Sequence, residues 1–120
     1  MQLNFRLYQN ENIVLNHQNI SYKIENNYLV FNIDDTKYQI LLTPENFIFH
    51  KKNNESKFSI DYARNEYLLE LNSPKYSFAI NCLYHQYEYL ENRIEFTYRI
   101  ESNPEINKII LEIERGKIND

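Results

Sequence analysis

The chain has no tryptophan, one glycine, one cysteine, three prolines and no long apolar run, and each scarcity removes a class of protein. A single glycine, Gly116, leaves almost no room for a loop that cradles phosphate with its backbone. Cys82 is the only thiol, so no internal disulfide forms, and no Cys/His spacing of a structural zinc site occurs. A reducing cytoplasm is therefore the expected home. No apolar run approaches the roughly 20 residues of a membrane helix. The start, Met1-Gln2-Leu3-Asn4-Phe5-Arg6, lacks the basic and continuously apolar regions of a signal peptide. Basic residues are also scarce relative to acidic ones, 13 against 17, for a formal charge of -4. A phosphate-binding surface needs clustered Lys and Arg to release counterions, so nucleic acid is not an expected partner. The negative excess falls entirely in residues 61–120, which would repel polyanions and anionic membrane surfaces. No His-Glu-x-x-His or Gly-x-Ser-x-Gly pattern is present, and no metal or cofactor is implied.

What is abundant is aromatic and alternating. The 120 residues, enough for one domain spanning 1–120 with its own core, include 11 Tyr and 7 Phe. Period-two alternation, which places one residue set on a buried strand face and the other in solvent, is the dominant pattern. Ile94, Phe96, Tyr98 and Ile100 oppose Arg93, Glu95, Thr97, Arg99 and Glu101. Phe58, Ile60 and Tyr62 form a second such set, and Tyr76, Phe78, Ile80 and Cys82 a third. Earlier come Leu3, Phe5 and Leu7, then Ile20, Tyr22 and Ile24, then Leu29, Phe31 and Ile33, then Tyr38, Ile40 and Leu42.

With glycine nearly absent, turns fall to Asn and Asp, which tolerate positive φ. Asn26-Asn27 and Asp34-Asp35 read as two-residue hairpin connections. Further turn signals stand at 43–46, 52–55, 63–65, 72–75, 91–92 and 102–105. Two segments carry both periodicities. Residues 105–115 match a helix at Ile106, Ile109, Ile110 and Ile113 and a strand at Ile109, Leu111 and Ile113. Their β-branched content and the preceding Asn103-Pro104 turn favour strand. Residues 83–90 are read as strand on the phase of Tyr87 and Tyr89. The expected fold is all-β, a single up-and-down antiparallel barrel of about eight to ten strands, since closure removes exposed sheet edges.

The segment Glu66-Tyr67-Leu68-Leu69-Glu70-Leu71-Asn72-Ser73-Pro74-Lys75-Tyr76-Ser77-Phe78-Ala79-Ile80, with the later Arg93 to Ile100, resembles the YwiB-like family. Ser73 and Pro74 stand at that family's Thr-Pro turn, with Lys75 at its Tyr and Tyr76 at its Gly. The resemblance extends from Lys23 to Glu114 and implies a lipocalin-like, calycin-type barrel with a cavity for a small ligand. It implies no activity, because that family has no established one.

The inward phase holds six tyrosines, Tyr22, Tyr38, Tyr62, Tyr67, Tyr76 and Tyr98. A buried phenol without a partner costs about 1–3 kcal/mol. These rings either line a partly polar cavity for an apolar or aromatic ligand or pack in the core with their hydroxyls at the rim in water. His17, His50 and His85 are widely spaced and are expected to be exposed. Cys82 follows the inward phase as a small core hydrophobe, with His85 on the opposite strand face. Glu95 and Glu101 share the solvent face with Arg93 and Arg99, the ordinary use of paired charges on a sheet. No catalytic residue is assigned. The expected function is a non-enzymatic cytoplasmic barrel that binds a small apolar or aromatic ligand. The alternative is a protein-interaction or homodimerisation module built on an edge strand or aromatic patch.

Overall fold

A computed structural model describes residues 1–113, leaving aside the Pro104 side chain. Glu114 and Arg115, which close the 105–115 segment and the family resemblance, lie outside the described residues, as does Gly116. The strands in chain order are β1 (Gln2–Gln9), β2 (Asn12–Ser21), β3 (Lys23–Glu25), β4 (Tyr28–Ile33), β5 (Thr36–Leu42) and β6 (Phe47–Lys52). They continue as β7 (Ser56–Asp61), β8 (Glu66–Asn72), β9 (Lys75–Ile80), β10 (Cys82–Tyr89), β11 (Arg93–Ile100) and β12 (Asn103–Ile113). Among the described residues there is no helix, so none is long and apolar enough to cross a membrane.

The protein is all-β, in two antiparallel sheets, and no closed ring of strands is found among the described residues. One sheet runs β10-β11-β12-β1-β2 and the other, seven-stranded, runs β3 to β9 in simple up-and-down order. They belong to two compact units, one of Met1–Tyr22 with the chain from Leu83 on, the other of Lys23–Cys82. The first sheet joins the two ends of the chain, because β1 pairs with β12 from Leu3↔Ile113 to Gln9↔Asn107.

Turn chemistry explains the local chain reversals. Asn26 and Asn27, at φ 52 and 72, reverse the chain between β3 and β4, and Asp34, at φ 53, does so between β4 and β5. Asn10 and Glu11, at φ 48 and 75, make the same kind of turn between β1 and β2 without an obvious sequence signal, since Glu is a poor residue for that region. Asn19, at φ 57, sits where the β1–β2 register shifts, and its backbone N–H donates to Asn4 Oδ1 at 2.9 Å. At the β5–β6 turn, Asn46 N–H donates to Thr43 Oγ1 at 2.9 Å, while Phe47 and Ala63 N–H both donate to Asn46 Oδ1.

Residues 83–89 and 105–113 are strand, as their aromatic and β-branched content favours, and Leu90 lies just past the end of β10. Three expectations change. Ile20, Tyr22 and Ile24 are not one strand: β2 ends at Ser21, β3 begins at Lys23, and the two lie in different sheets. Likewise Cys82 opens β10 in the first sheet, whereas Tyr76, Phe78 and Ile80 belong to β9 in the second. Alternation persists across each single-residue break because the side-chain phase does not register which backbone the strand pairs with. The turn expected at Asn103-Pro104 falls two residues earlier, at Glu101-Ser102, and Asn103 already belongs to β12.

Each unit has a buried apolar face. In the first, Phe5, Leu111 and Ile94 stand in one cross-strand row and Ile109 and Phe96 in the next, all buried. In the second, the row Leu29–Ile40–Phe49–Ile60–Tyr67 crosses five strands and is buried throughout. Burying such side chains contributes about 1.5–3 kcal/mol each.

Candidate ligand-binding face

The apolar face of the β3–β9 sheet continues past that buried row. One step along the strands the register places Phe31, Tyr38, Lys51, Phe58, Leu69 and Phe78 side by side across six strands. Beyond it, at the β7–β9 end, stand Ser56, Leu71 and Tyr76. Burial fades along this second row. Phe31 and Tyr38 are buried, Lys51, Phe58 and Leu69 are half-buried, and Phe78 and Tyr76 are 37% and 59% exposed. β9 is the last strand of its sheet, with a hydrogen-bonded neighbour strand on one side only among the described residues. The outcome is an apolar, aromatic surface that is solid at one end and open at the other.

The closed end is tightly stacked. Tyr38 lies against Phe31 at 5.1 Å between ring centroids with planes 12° apart, and against Phe49 at 6.0 Å. Phe49 in turn meets Phe47 at 6.1 Å. At the open end, Tyr76 and Phe78 contact each other at 5.6 Å. Burial pushes the Tyr38 phenol above its ordinary value.

The six tyrosines divide between the units. Tyr38 and Tyr67 are buried on this face, and Tyr62 follows the end of β7, half-buried, with its N–H donating to the Phe47 carbonyl at 3.0 Å. Tyr76 has the expected inward phase but is not covered: it is exposed because it sits on an edge strand near the rim. Tyr22 and Tyr98 belong to the other unit. Tyr22 is buried beside the chain start, donating its N–H to the Met1 carbonyl at 3.2 Å. Tyr98 packs against Phe96 at 5.8 Å, and burial pushes its phenol up to about 12.

Lys51 has no counterpart among the tyrosines and carries no turn or motif signal. It is the one charged side chain in the inward phase of β4 to β9 among the described residues. The alternation of Phe47 and Phe49 with Ile48 and His50 would have found it, because Lys51 is the next member of the phenylalanine phase.

The histidines are half-buried, not exposed as expected, and they lie within strands. His50 Nδ1 is 3.0 Å from Ser59 Oγ, and its ring stacks on Tyr28 at 6.0 Å. Burial, reinforced by Lys57, holds it below the ordinary histidine value. His85 meets Phe96 at 6.2 Å, and burial lowers it too. His17 lies on β2, at the opposite edge of that sheet from β10. Cys82 is half-buried at the start of β10. No group of three or more His, Cys, Asp or Glu that could hold a metal is found among the described residues.

Charges gather on the opposite sheet faces. Arg6 donates to Glu112 at 2.8 Å, Arg93 pairs with Glu95, and Glu112 lies 3.9 Å from Arg93. Glu95 stays among the charged residues, but it pairs with Arg93 along its own strand, and the cross-strand carboxylate is Glu112. Beside this network a groove of about 500 Å³ is lined by Tyr8, Arg93, Thr97, Ile106, Lys108 and Ile110. On the outer face of the other sheet Lys37, Lys52 and Lys57 are direct cross-strand neighbours.

Together the fold and site define an all-β protein with an open aromatic sheet face. No family model, curated protein or solved structure matches the chain.

Proposed function

We propose that this protein is a non-enzymatic binding domain that takes a small apolar or aromatic ligand on the Tyr- and Phe-lined face of its β3–β9 sheet. The observation carrying this reading is the graded burial of one row, apolar and aromatic except at Lys51, from Phe31 and Tyr38, both buried, to Phe78, 37% exposed. A surface rigid at one end and open at the other offers a preformed apolar platform with a few polar groups, the composition of small-molecule sites. The up-and-down order of β3 to β9 supports the lipocalin-like barrel implied by the YwiB-like resemblance. Cys82 is the only cysteine and can form no internal disulfide, which supports a cytoplasmic setting. Native mass spectrometry of freshly purified protein, set against its denatured mass, tests the reading: a co-purifying small molecule supports it.

A second reading rests on a different observation. β10 is an edge strand, and Leu83, Tyr84, Tyr89 and Leu90 in and just after it are exposed. An apolar edge is a template for pairing with another strand, so the protein can act as a homodimerisation or interaction module. A ligand-free dimer in the same spectrum favours this reading over the first.

A further inference from the structure

We infer that the ligand carries an anionic head, a carboxylate or its equivalent, which pairs with Lys51 while its apolar or aromatic body lies along Phe58, Leu69 and Phe78. The inference rests on the small-ligand reading and specifies the chemistry of that site.

Lys51 stands directly opposite Tyr38 on one side and Phe58 on the other. Its same-phase strand neighbour is the buried Phe49. Among the described residues no carboxylate stands in the inward phase of β4 to β9, and no ion pair reaches the Lys51 ammonium. Lys51 is a charged residue at an inward position of a largely apolar row, where a sequence under no other demand would place an apolar residue. The aliphatic stem can lie along the aromatic rings while its head turns to solvent. That arrangement leaves the ammonium accessible at the margin of an apolar surface.

The geometry also sets the ligand's reach. Phe58, Leu69 and Phe78 follow Lys51 in the same row on the next three strands. Three strand spacings of about 4.8 Å place Phe78 about 14 Å from Lys51. A body of two fused rings with a short acidic arm fits that distance with its head at Lys51. The charge is complementary to an anion, and the exposed end at Tyr76 and Phe78 provides entry.

The test uses two probes that share a naphthalene body and differ only in the head: 2-naphthylacetate and 2-naphthylethanol, titrated against the full chain by fluorescence. The wild type is expected to bind the acid at least about tenfold more tightly than the alcohol, the size of a hydrogen bond to a charged group. Lys51→Met should abolish that preference while retaining alcohol binding, and Lys51→Arg should preserve it. Circular dichroism confirms that each variant is folded. Equal binding of the two probes, or a preference that survives in Lys51→Met, overturns the anionic head and leaves the apolar-ligand reading standing. Failure of the wild type to bind either probe overturns both.

Discussion

Tyr38 and Lys51 stand directly opposite each other on neighbouring strands β5 and β6, a buried phenol beside a half-buried cation on one apolar face. Such a pairing has an energetic consequence that is separable from ligand binding. Replacing Lys51 with Met removes a charge that has no ion pair among the described residues and keeps the stem's volume. The free protein should become more stable by about 1 kcal/mol, seen as a higher urea midpoint with an unchanged slope. An unchanged or lower midpoint would show that the ammonium is well solvated where it stands.

The two ends of the apolar face should respond differently to truncation. Phe78 is exposed at the edge, so Phe78→Ser is expected to shift stability by less than about 1 kcal/mol while weakening 2-naphthylethanol binding several-fold. Phe49 is buried in the middle of its row, and Phe49→Ala should cost about 3–5 kcal/mol. Denaturant unfolding and the fluorescence titration read the two effects independently. Equal probe affinity in wild type and Phe78→Ser would place the ligand elsewhere.

Stability should fall on both the acid and the alkaline side. His50 and His85 are held below the ordinary histidine value, mainly by burial, so the unfolded chain binds their protons more readily. Their contribution is complete above the unfolded value of about 6.5 and declines as pH falls through it towards the folded values. His50→Gln is expected to shallow that decline while leaving the neutral-pH midpoint nearly unchanged. Tyr98 has the opposite sign. Its phenol is raised from 10.0 to about 12, so the folded state keeps a proton the unfolded state loses, and stability drops as pH rises across that window. Urea midpoints from pH 5 to 11 check both limbs, and Tyr98→Phe should flatten the alkaline one.

Glu112 serves two arginines, accepting from Arg6 at 2.8 Å and lying 3.9 Å from Arg93. Among the described residues Arg6 Nε and Arg93 Nε are buried without a hydrogen-bond partner, so the remaining contacts of these guanidiniums matter more than those of a surface pair. Glu112→Gln is expected to destabilise by about 1 kcal/mol, more than Glu25→Gln at the exposed Lys23–Glu25 pair. The difference should shrink in high salt. Comparable effects of the two substitutions would show that the shared carboxylate is ordinary surface charge.

The Asn10-Glu11 turn offers a prediction from backbone conformation alone. Glu11 sits at φ 75, a region that costs a residue bearing a Cβ about 1–2 kcal/mol relative to glycine. Glu11→Gly should therefore raise the thermal midpoint, and Glu11→Val should lower it.

Much of this molecule was written in its alternation. Ile94 and Phe96 are buried in phase as their spacing predicts, and so are Leu29, Phe31, Tyr38 and Ile40, because strand side chains alternate regardless of what they pack against. Asn26, Asn27 and Asp34 turn the chain where expected because few residues other than glycine tolerate positive φ so readily. The strand choice for 83–90 was legible in its aromatic phase, and that for 105–113 in its β-branched isoleucines.

What the chain alone could not say concerns partners across space. Phase placed Tyr76 inward, but whether an inward residue is covered depends on whether its strand is central or at an edge, and β9 is an edge. The same blindness hid the sheet changes at Tyr22 and Asn81, where alternation runs on while the hydrogen-bonding neighbours change. Cys82, read as a core residue, is half-buried at the start of an edge strand for that reason. Lys51 is the clearest instance. Its phase was in the sequence, yet only the register reveals that its lateral neighbours are Tyr38 and Phe58, with Leu69 and Phe78 further along the row, and that no carboxylate stands among them. Local pattern determined which way each side chain points; pairing between distant strands decided what it points at, because burial and charge compensation are properties of neighbours that the order of residues does not specify.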